Sequence, residues 1–196
     1  MLSFATVHAI TACLLNVEHD TPPVPVAAAE HLGTIVLAQD QPACPASGPL
    51  RALRLLSRPL LGDERRHLTL PAVLDQIADA ITADGAAPAP WPGHSDHGPL
   101  HRDDLAALRR ALCESRPGLR LLAWAICYDD LLADDEDIVA VRRVEAVDVD
   151  GRVYQISRRP GEPGPVVLLD EQADPDDLPA TYPPLARLAA GQPAQT

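Results

Sequence analysis

The chain has 196 residues, of which 46% are hydrophobic, and this is enough to bury a self-sufficient core without disulfides or a structural metal. All 16 basic residues are arginine, against 28 acidic residues, so the formal net charge is −12. That charge argues against a general nucleic-acid or anionic-membrane binder, because either function needs a basic face.

The cellular location is predicted from the absence of membrane-spanning and signal patterns in the sequence. No stretch reaches the ~20 apolar residues of a membrane span. The segment 10–13, Ile-Thr-Ala-Cys, has the local pattern of a lipoprotein cleavage box, but the first fifty residues contain no Lys or Arg. Without a positive n-region a plain first helix is favoured. The four cysteines are widely spaced in a chain too large to need staples, which favours free thiols in a cytoplasmic protein.

The first half predicts two β-prone runs between helical segments. Residues 4–18 carry an apolar stripe, and the prolines after Thr21 end that helix. Residues 24–30 and 34–39 form a predicted hairpin, with Gly33 in its turn. A short helix is predicted over 50–57. Residues 70–81 place apolar side chains on one helical face and are the clearest helix of the chain.

The second half predicts two more helices and then a sheet. Residues 101–115 are helical in period, and 119–132 are apolar on nearly every side, so their length favours a buried helix. Strands at 138–147, 153–157 and 166–169 form an antiparallel meander, with Asp150-Gly151 as the first turn. A short helix follows within 184–190.

These elements predict an α+β fold, in which about four helices pack on a small antiparallel sheet built from the N-terminal hairpin and the C-terminal meander. Residues 1–178 form one predicted domain with an exposed Pro/Gly-rich loop at 86–99, although a domain boundary in that loop is the alternative. Residues 179–196 form a partly ordered tail. The predicted core residues are Leu74, Ile77, Ile81, Leu108, Leu112, Leu122, Trp124 and Ile126.

The sharpest chemical cluster lies in and just after the 86–99 loop. His94, Asp96, His97 and His101 are imidazole and carboxylate ligands close enough in sequence to hold zinc or a similar divalent ion. Residues 94–98, His-Ser-Asp-His-Gly, resemble the latter part of the metal motif of the metallo-β-lactamase family. That family places another histidine two residues earlier, where this chain has Pro92, so no family role is carried over. A solvated polar loop is the favoured interpretation.

Other candidates are weaker. Cys44 precedes a predicted helix whose amide end lowers a thiol pKa, but no family signature accompanies it. The acids Glu145, Asp148 and Asp150 faintly suggest a metal-dependent nuclease hairpin, although the lysine such sites usually carry is absent. The pairs Arg142-Arg143 and Arg158-Arg159 are expected near each other at one end of the hairpin, as a local contact for an anion or an acidic peptide.

The leading functional hypothesis is a small acidic cytoplasmic accessory or regulatory protein that acts through protein–protein contact, without catalysis, cofactor, membrane or direct nucleic-acid binding. Two acidic runs at predicted breaks in regular structure form the expected landing site for a partner with a basic surface. These residues are Asp134, Asp135, Glu136, Asp137, Asp174, Asp176 and Asp177. The alternative is a metal-dependent, hydrolase-like enzyme that uses the His94/Asp96/His97/His101 cluster. The sequence leaves the oligomeric state open.

Overall fold

The computed structural model describes residues 1–21, 32–41, 52–61, 69–82, 120–134, 137–170 and 178–190. Their regular elements are, in chain order, α1 (Phe4–Asp20), β1 (Leu32–Gln41), β2 (Ala52–Leu61), α2 (Leu70–Thr82), β3 (Arg120–Asp134), β4 (Asp137–Asp148), β5 (Val153–Arg158), β6 (Val166–Asp170) and α3 (Tyr182–Ala190). The fold is α+β: six strands form one sheet in the order β2-β1-β3-β4-β5-β6, and every neighbouring pair is antiparallel.

The sheet separates two apolar clusters. On one face α2 and α3 cover Ile35, Leu37, Trp124 and Ile126. On the other face α1 covers the alternate residues of the same strands, including Val36 and Ala125. Because successive side chains of a strand point to opposite faces, the central strands have to be apolar throughout.

The first helix has defined ends. Ser3 is its N-cap and accepts a hydrogen bond from the Thr6 amide at 3.2 Å, while the Thr21 amide donates to the Val17 carbonyl at 3.1 Å. Its buried residues are Val7, Ile10, Leu14 and Glu18, so a carboxylate belongs to its inner face. Phe4, the apolar first residue of the helix, is exposed. The helix itself is confirmed, and so are the helices at 70–81 and 184–190.

Two predicted helices are strands. From residue 120 onward the segment predicted as a helix over 119–132 is β3, whose apolar residues face both helical layers, and the described part of 50–57 lies in β2. The leucines and arginines of β2 have high helix propensity, but the pairing of this segment with β1 outweighs that preference. Pro59 is tolerated because β2 is an edge strand of the sheet. The sheet is therefore larger than the small one predicted.

The predicted N-terminal hairpin is not confirmed. Gly33 lies inside β1, paired with Leu60 and Tyr128, and is not a turn residue. Both edges of β1 are taken by β2 and β3, and residues 22–31 lie outside the described part of the chain. The helix predicted at 101–115, the 86–99 loop, Leu108 and Leu112 also lie outside it, as does the side chain of Ile81. The division into domain and tail stays a prediction.

The C-terminal meander is confirmed as β4, β5 and β6. Its first turn is longer than the two-residue loop predicted. The Asp148 amide donates to the Arg152 carbonyl at 3.1 Å, which leaves three residues in the loop, and Gly151 has a φ of 86°. A type I turn followed by a left-handed glycine is the usual three-residue hairpin loop.

Every predicted core residue whose side chain the structure describes is buried. Leu74, Ile77, Leu122, Trp124 and Ile126 are fully buried. Leu185, Leu188 and Ala189 of α3 join the same cluster as α2. This packing fixes α3 across the sheet face opposite α1.

Candidate functional site

The last strand of the sheet is apolar and exposed. Val166, Val167, Leu168 and Leu169 are 53%, 40%, 58% and 44% exposed, and β6 ends the strand order. Edge strands present unpaired N–H and C=O groups, and soluble proteins normally blunt them with charge, proline or cover. Four consecutive exposed apolar residues at such an edge therefore need a functional explanation.

The register shows that the exposure affects both faces of β6. Val167 pairs with Ile156 and Leu169 with Tyr154, which are buried beneath α1. Val166 and Leu168 pair with Ser157 and Gln155, on the opposite face. Each helical layer therefore stops short of β6, and side chains on both of its faces reach solvent.

A second feature, the arginine cleft, opens where β5 ends and β4 continues beyond it. Its volume is about 440 Å³, and it is lined by Glu18, Asp129, Ala140, Arg142, Arg158, Arg159, Pro160, Gly161 and Glu162. The register places Arg142 directly opposite Arg158 on the α1 face, so these arginines of the hairpin meet as predicted. Arg143 points to the other face and pairs with Asp130 at 2.8 Å.

Two buried carboxylates neutralise two of the cleft arginines. Arg158 donates from Nε and Nη2 to both oxygens of Glu18, at 2.6 and 2.7 Å. Arg142 donates in the same forked manner to Asp129, at 2.8 and 3.0 Å. The hydrogen bond to Asp129 raises the pKa of Arg142, and that to Glu18 raises the pKa of Arg158.

Arg142 also completes the end of α1. Its Nη1 donates to the carbonyl of Thr21, and lies 3.5 Å from that of Glu18. The last carbonyls of a helix lack intrahelical partners and carry the negative end of its dipole. The Arg142 guanidinium donates hydrogen bonds to these carbonyls and places a positive charge at the negative end of the dipole. Arg142, a residue of β4, therefore connects α1 to Asp129 of β3.

A separate buried acid, Glu145, lies on the α2–α3 face. It accepts a hydrogen bond from Tyr128 Oη at 2.9 Å and another from Thr181 Oγ1. Burial raises the pKa of Glu145, and burial next to Glu145 also raises that of Tyr128. Thr181 directly precedes α3, so this network ties the start of α3 to the centre of the sheet.

The Asp148 carboxylate organises the β4–β5 turn. Its side chain is fully buried and accepts from the amides of Asp150 and Arg152, at 2.8 and 3.0 Å. Tyr154 Oη donates to it at 2.8 Å, and Arg152 Nη1 lies 3.3 Å away. The backbone amide of Leu2 donates to Asp150, which holds the start of α1 against this turn. Asp148 is thus a structural acid, and these contacts give no support to a nuclease site.

Most of the residues predicted to bind a partner or a metal fall outside the described chain. Asp134, the last residue of β3, and Asp137, the first residue of β4, are opposite each other in the strand register. Asp135, Glu136, Asp174, Asp176 and Asp177 are not described, nor are His94, Asp96, His97 and His101. Within the described ranges, no three His, Cys, Asp or Glu side chains converge as a metal ion requires. Cys44 is also outside them, while Cys13 and Cys127 are free thiols as expected.

Sequence reasoning missed the exposure of β6 and the Glu18–Arg158 pair. A uniform apolar run such as 166–169 is typical of a strand buried on both faces, so its composition indicates burial although the residues are exposed. Glu18 and Arg158 are 140 positions apart, and each looks like an ordinary surface residue. A weak signal existed at position 18, since it falls on the same helical face as Leu14.

Comparison with known proteins returned no match: no family model fits the chain, and no curated protein or solved structure matches it significantly. Among the described helices, none is both long and apolar enough to cross a bilayer.

Proposed function

We propose that this chain is a non-enzymatic accessory or regulatory protein, and that it binds an extended segment of a partner protein along β6. The observation that carries the proposal is the run of four exposed apolar residues on the free edge of the sheet. An added strand pairs with the unpaired backbone groups of such an edge, and alternate side chains supply specificity.

The expected affinity is moderate. Full burial of a Val or Leu side chain contributes ~1.5–3 kcal/mol, and the four side chains of β6 are already about half covered. Their remaining contribution, about 1 kcal/mol each, adds to the backbone pairing and is offset by the entropy lost on association. A dissociation constant of the order of 1 μM is consistent with these terms.

Charge favours a basic partner over a second copy of this chain. Each chain carries a net charge of −12, so two copies repel each other. The register also brings the start of β6 to the same end of the sheet as the Asp134–Asp137 pair. Val166 is level with Arg143 of β4, about 10 Å away across two strand spacings, and Asp137 lies six residues further along β4. The separation is therefore about 22 Å, roughly two screening lengths at 0.1 M salt. At low ionic strength, where the screening length is longer, the acidic runs would accelerate association, and β6 would supply the contact.

The test compares two matched lysine substitutions. Val167 lies on β6 and Val149 in the β4–β5 turn, and both are 40% exposed. Wild-type, Val167→Lys and Val149→Lys proteins are used to co-purify partners from the native host, and the captured protein is then titrated against each by calorimetry. We expect Val167→Lys to weaken binding at least tenfold and Val149→Lys to leave it unchanged.

Two results would overturn the proposal. One is a partner that binds Val167→Lys as tightly as it binds wild type. The other is a wild-type chain that sediments as a dimer and becomes monomeric only in Val167→Lys, since that result would assign the edge to a second copy. Amide hydrogen exchange gives an independent readout, because a paired β6 should gain protection at residues 166–170 in the complex.

A further inference from the structure

The arginine cleft has donors that its own carboxylates do not use. Arg158 employs Nε and Nη2 on Glu18, which leaves Nη1 without a hydrogen bond among the described residues. Arg159 also lines the cleft, and its exposed guanidinium makes no ion pair or hydrogen bond within the described part of the chain. The forks on Glu18 and Asp129 are already neutral pairs, so Arg159 is the arginine whose charge they leave uncompensated.

The turn that carries Arg159 is preformed. The Glu162 amide donates to the Arg159 carbonyl at 3.2 Å, with Pro160 and Gly161 between them and a φ of 82° at Gly161. Proline followed by a left-handed glycine is the signature of a type II turn. The turn therefore holds Arg159 beside the end of β5 at little entropic cost.

We propose that the arginine cleft binds a carboxylate group, held by the free Nη1 of Arg158 and the guanidinium of Arg159. The planar fork of arginine matches a carboxylate, and the cleft already holds two carboxylates in this way. At about 440 Å³ the cleft exceeds a single carboxyl group, and Ala140 and Pro160 add apolar wall for the rest of the ligand. A small organic acid or the carboxyl-terminal residue of a peptide has this chemistry.

The negative charge of Glu162 repels a carboxylate ligand in the cleft, which gives a second testable consequence. It lies on the same turn, three residues after Arg159, and also lines the cleft. Like charges repel, so removing the charge of Glu162 should strengthen carboxylate binding, whereas removing that of Arg159 should weaken it. A purely structural turn would show neither effect.

The experiment is a titration followed by amide chemical shifts, with glutarate as the probe and ionic strength held constant with NaCl. We expect saturable shifts at Gly161 and Glu162, with a dissociation constant of the order of 1 mM. Arg159→Gln should weaken binding about tenfold, the loss of one charge-assisted hydrogen bond, and Arg159→Lys by less, because it keeps the charge and loses the fork. Glu162→Gln should tighten binding about twofold to threefold.

The control is Arg187→Gln, which removes another exposed arginine, on α3, where it pairs with Asp75 and Asp79. It should leave the glutarate affinity unchanged. A second titration, with a peptide whose only carboxylate is its C-terminus, separates the two ligand sources: tighter binding than glutarate assigns a peptide, and weaker binding assigns a small acid.

Wild-type protein without saturable shifts at Gly161 and Glu162 would overturn the proposal, and so would equal affinities for wild type and Arg159→Gln. Since Arg159 and Glu162 are exposed and make no described side-chain contact, both variants should fold. None of these substitutions alters β6, so this outcome and that of the partner-binding test are independent.

Discussion

Removing the Asp148 carboxylate should cost a large part of the stability of this fold. Asp148→Ala removes the acceptor of two backbone amides and of Tyr154 Oη, and it removes one of the two carboxylates that Arg152 Nη1 contacts, the other being Asp150. Four hydrogen bonds to a charged group, at ~1.5–3 kcal/mol each, would sum to about 6–12 kcal/mol. That sum overstates the loss, because Asp150 is exposed and its amide can turn to water, and because the carboxylate itself pays for its burial.

A loss of about 3–5 kcal/mol is therefore expected, the usual cost of removing one side of a buried charged pair. Urea unfolding followed by the fluorescence of buried Trp124 measures it. Tyr154→Phe should cost about 1 kcal/mol in wild type and almost nothing in the Asp148→Ala background, since the two groups share one bond. Glu162→Gln, at an exposed acid, is the control. A change below about 1 kcal/mol in Asp148→Ala would refute the structural role assigned to this acid.

Three further outcomes are expected. Burial raises the pKa of Glu145, so its folded form binds the proton more tightly, and its contribution to stability is greatest in acid and is lost as pH rises through the raised pKa. Glu145→Gln should accordingly gain stability relative to wild type as pH rises from the ordinary carboxyl range toward neutrality, and parallel urea curves would contradict this. Elemental analysis should find no stoichiometric metal in the purified protein; a bound ion that is lost in His97→Ala would favour the hydrolase alternative. Changing Asp134, Asp135 and Asp137 to asparagine should slow partner association at low salt with almost no change in thermal stability, and unchanged binding would reduce the acidic runs to a solubility feature.

The elements that sequence predicted correctly are those whose pattern is local. The helix α2 shows one apolar face because only one of its faces meets the sheet, so the period of 3.6 survives in the sequence. The β4–β5 hairpin carries a local marker in Gly151, whose left-handed φ few other residues adopt. Both signals lie within a short window and need no knowledge of the rest of the fold.

The errors have the opposite origin, since they depend on what covers an element. β3 lies between α1 and the α2–α3 layer, so both of its faces are apolar and the alternation that identifies a strand disappears. At fifteen residues it is also longer than most strands, which favoured a helix. β6 has a similarly uniform apolar pattern, although its side chains are about half exposed and none of the helices in the described part of the chain packs on it. Composition alone does not separate these two environments.

The buried charges fix β5, the strand next to the exposed edge, to the core of the fold. The β4–β5 hairpin holds α1 at both ends: Asp150 accepts from Leu2 at the start of the helix, and Arg142 donates to the carbonyl of Thr21 at its end. Glu18 and Arg158 add a third link between the helix and β5. The strand that β6 pairs with is thereby fixed to the core, whereas the side chains of β6 itself are about half exposed. If a partner segment binds as proposed, the fixed position of β5 would lower the entropy lost in ordering the edge. An anchored β5 beside an exposed β6 is therefore consistent with the proposed addition of one more strand.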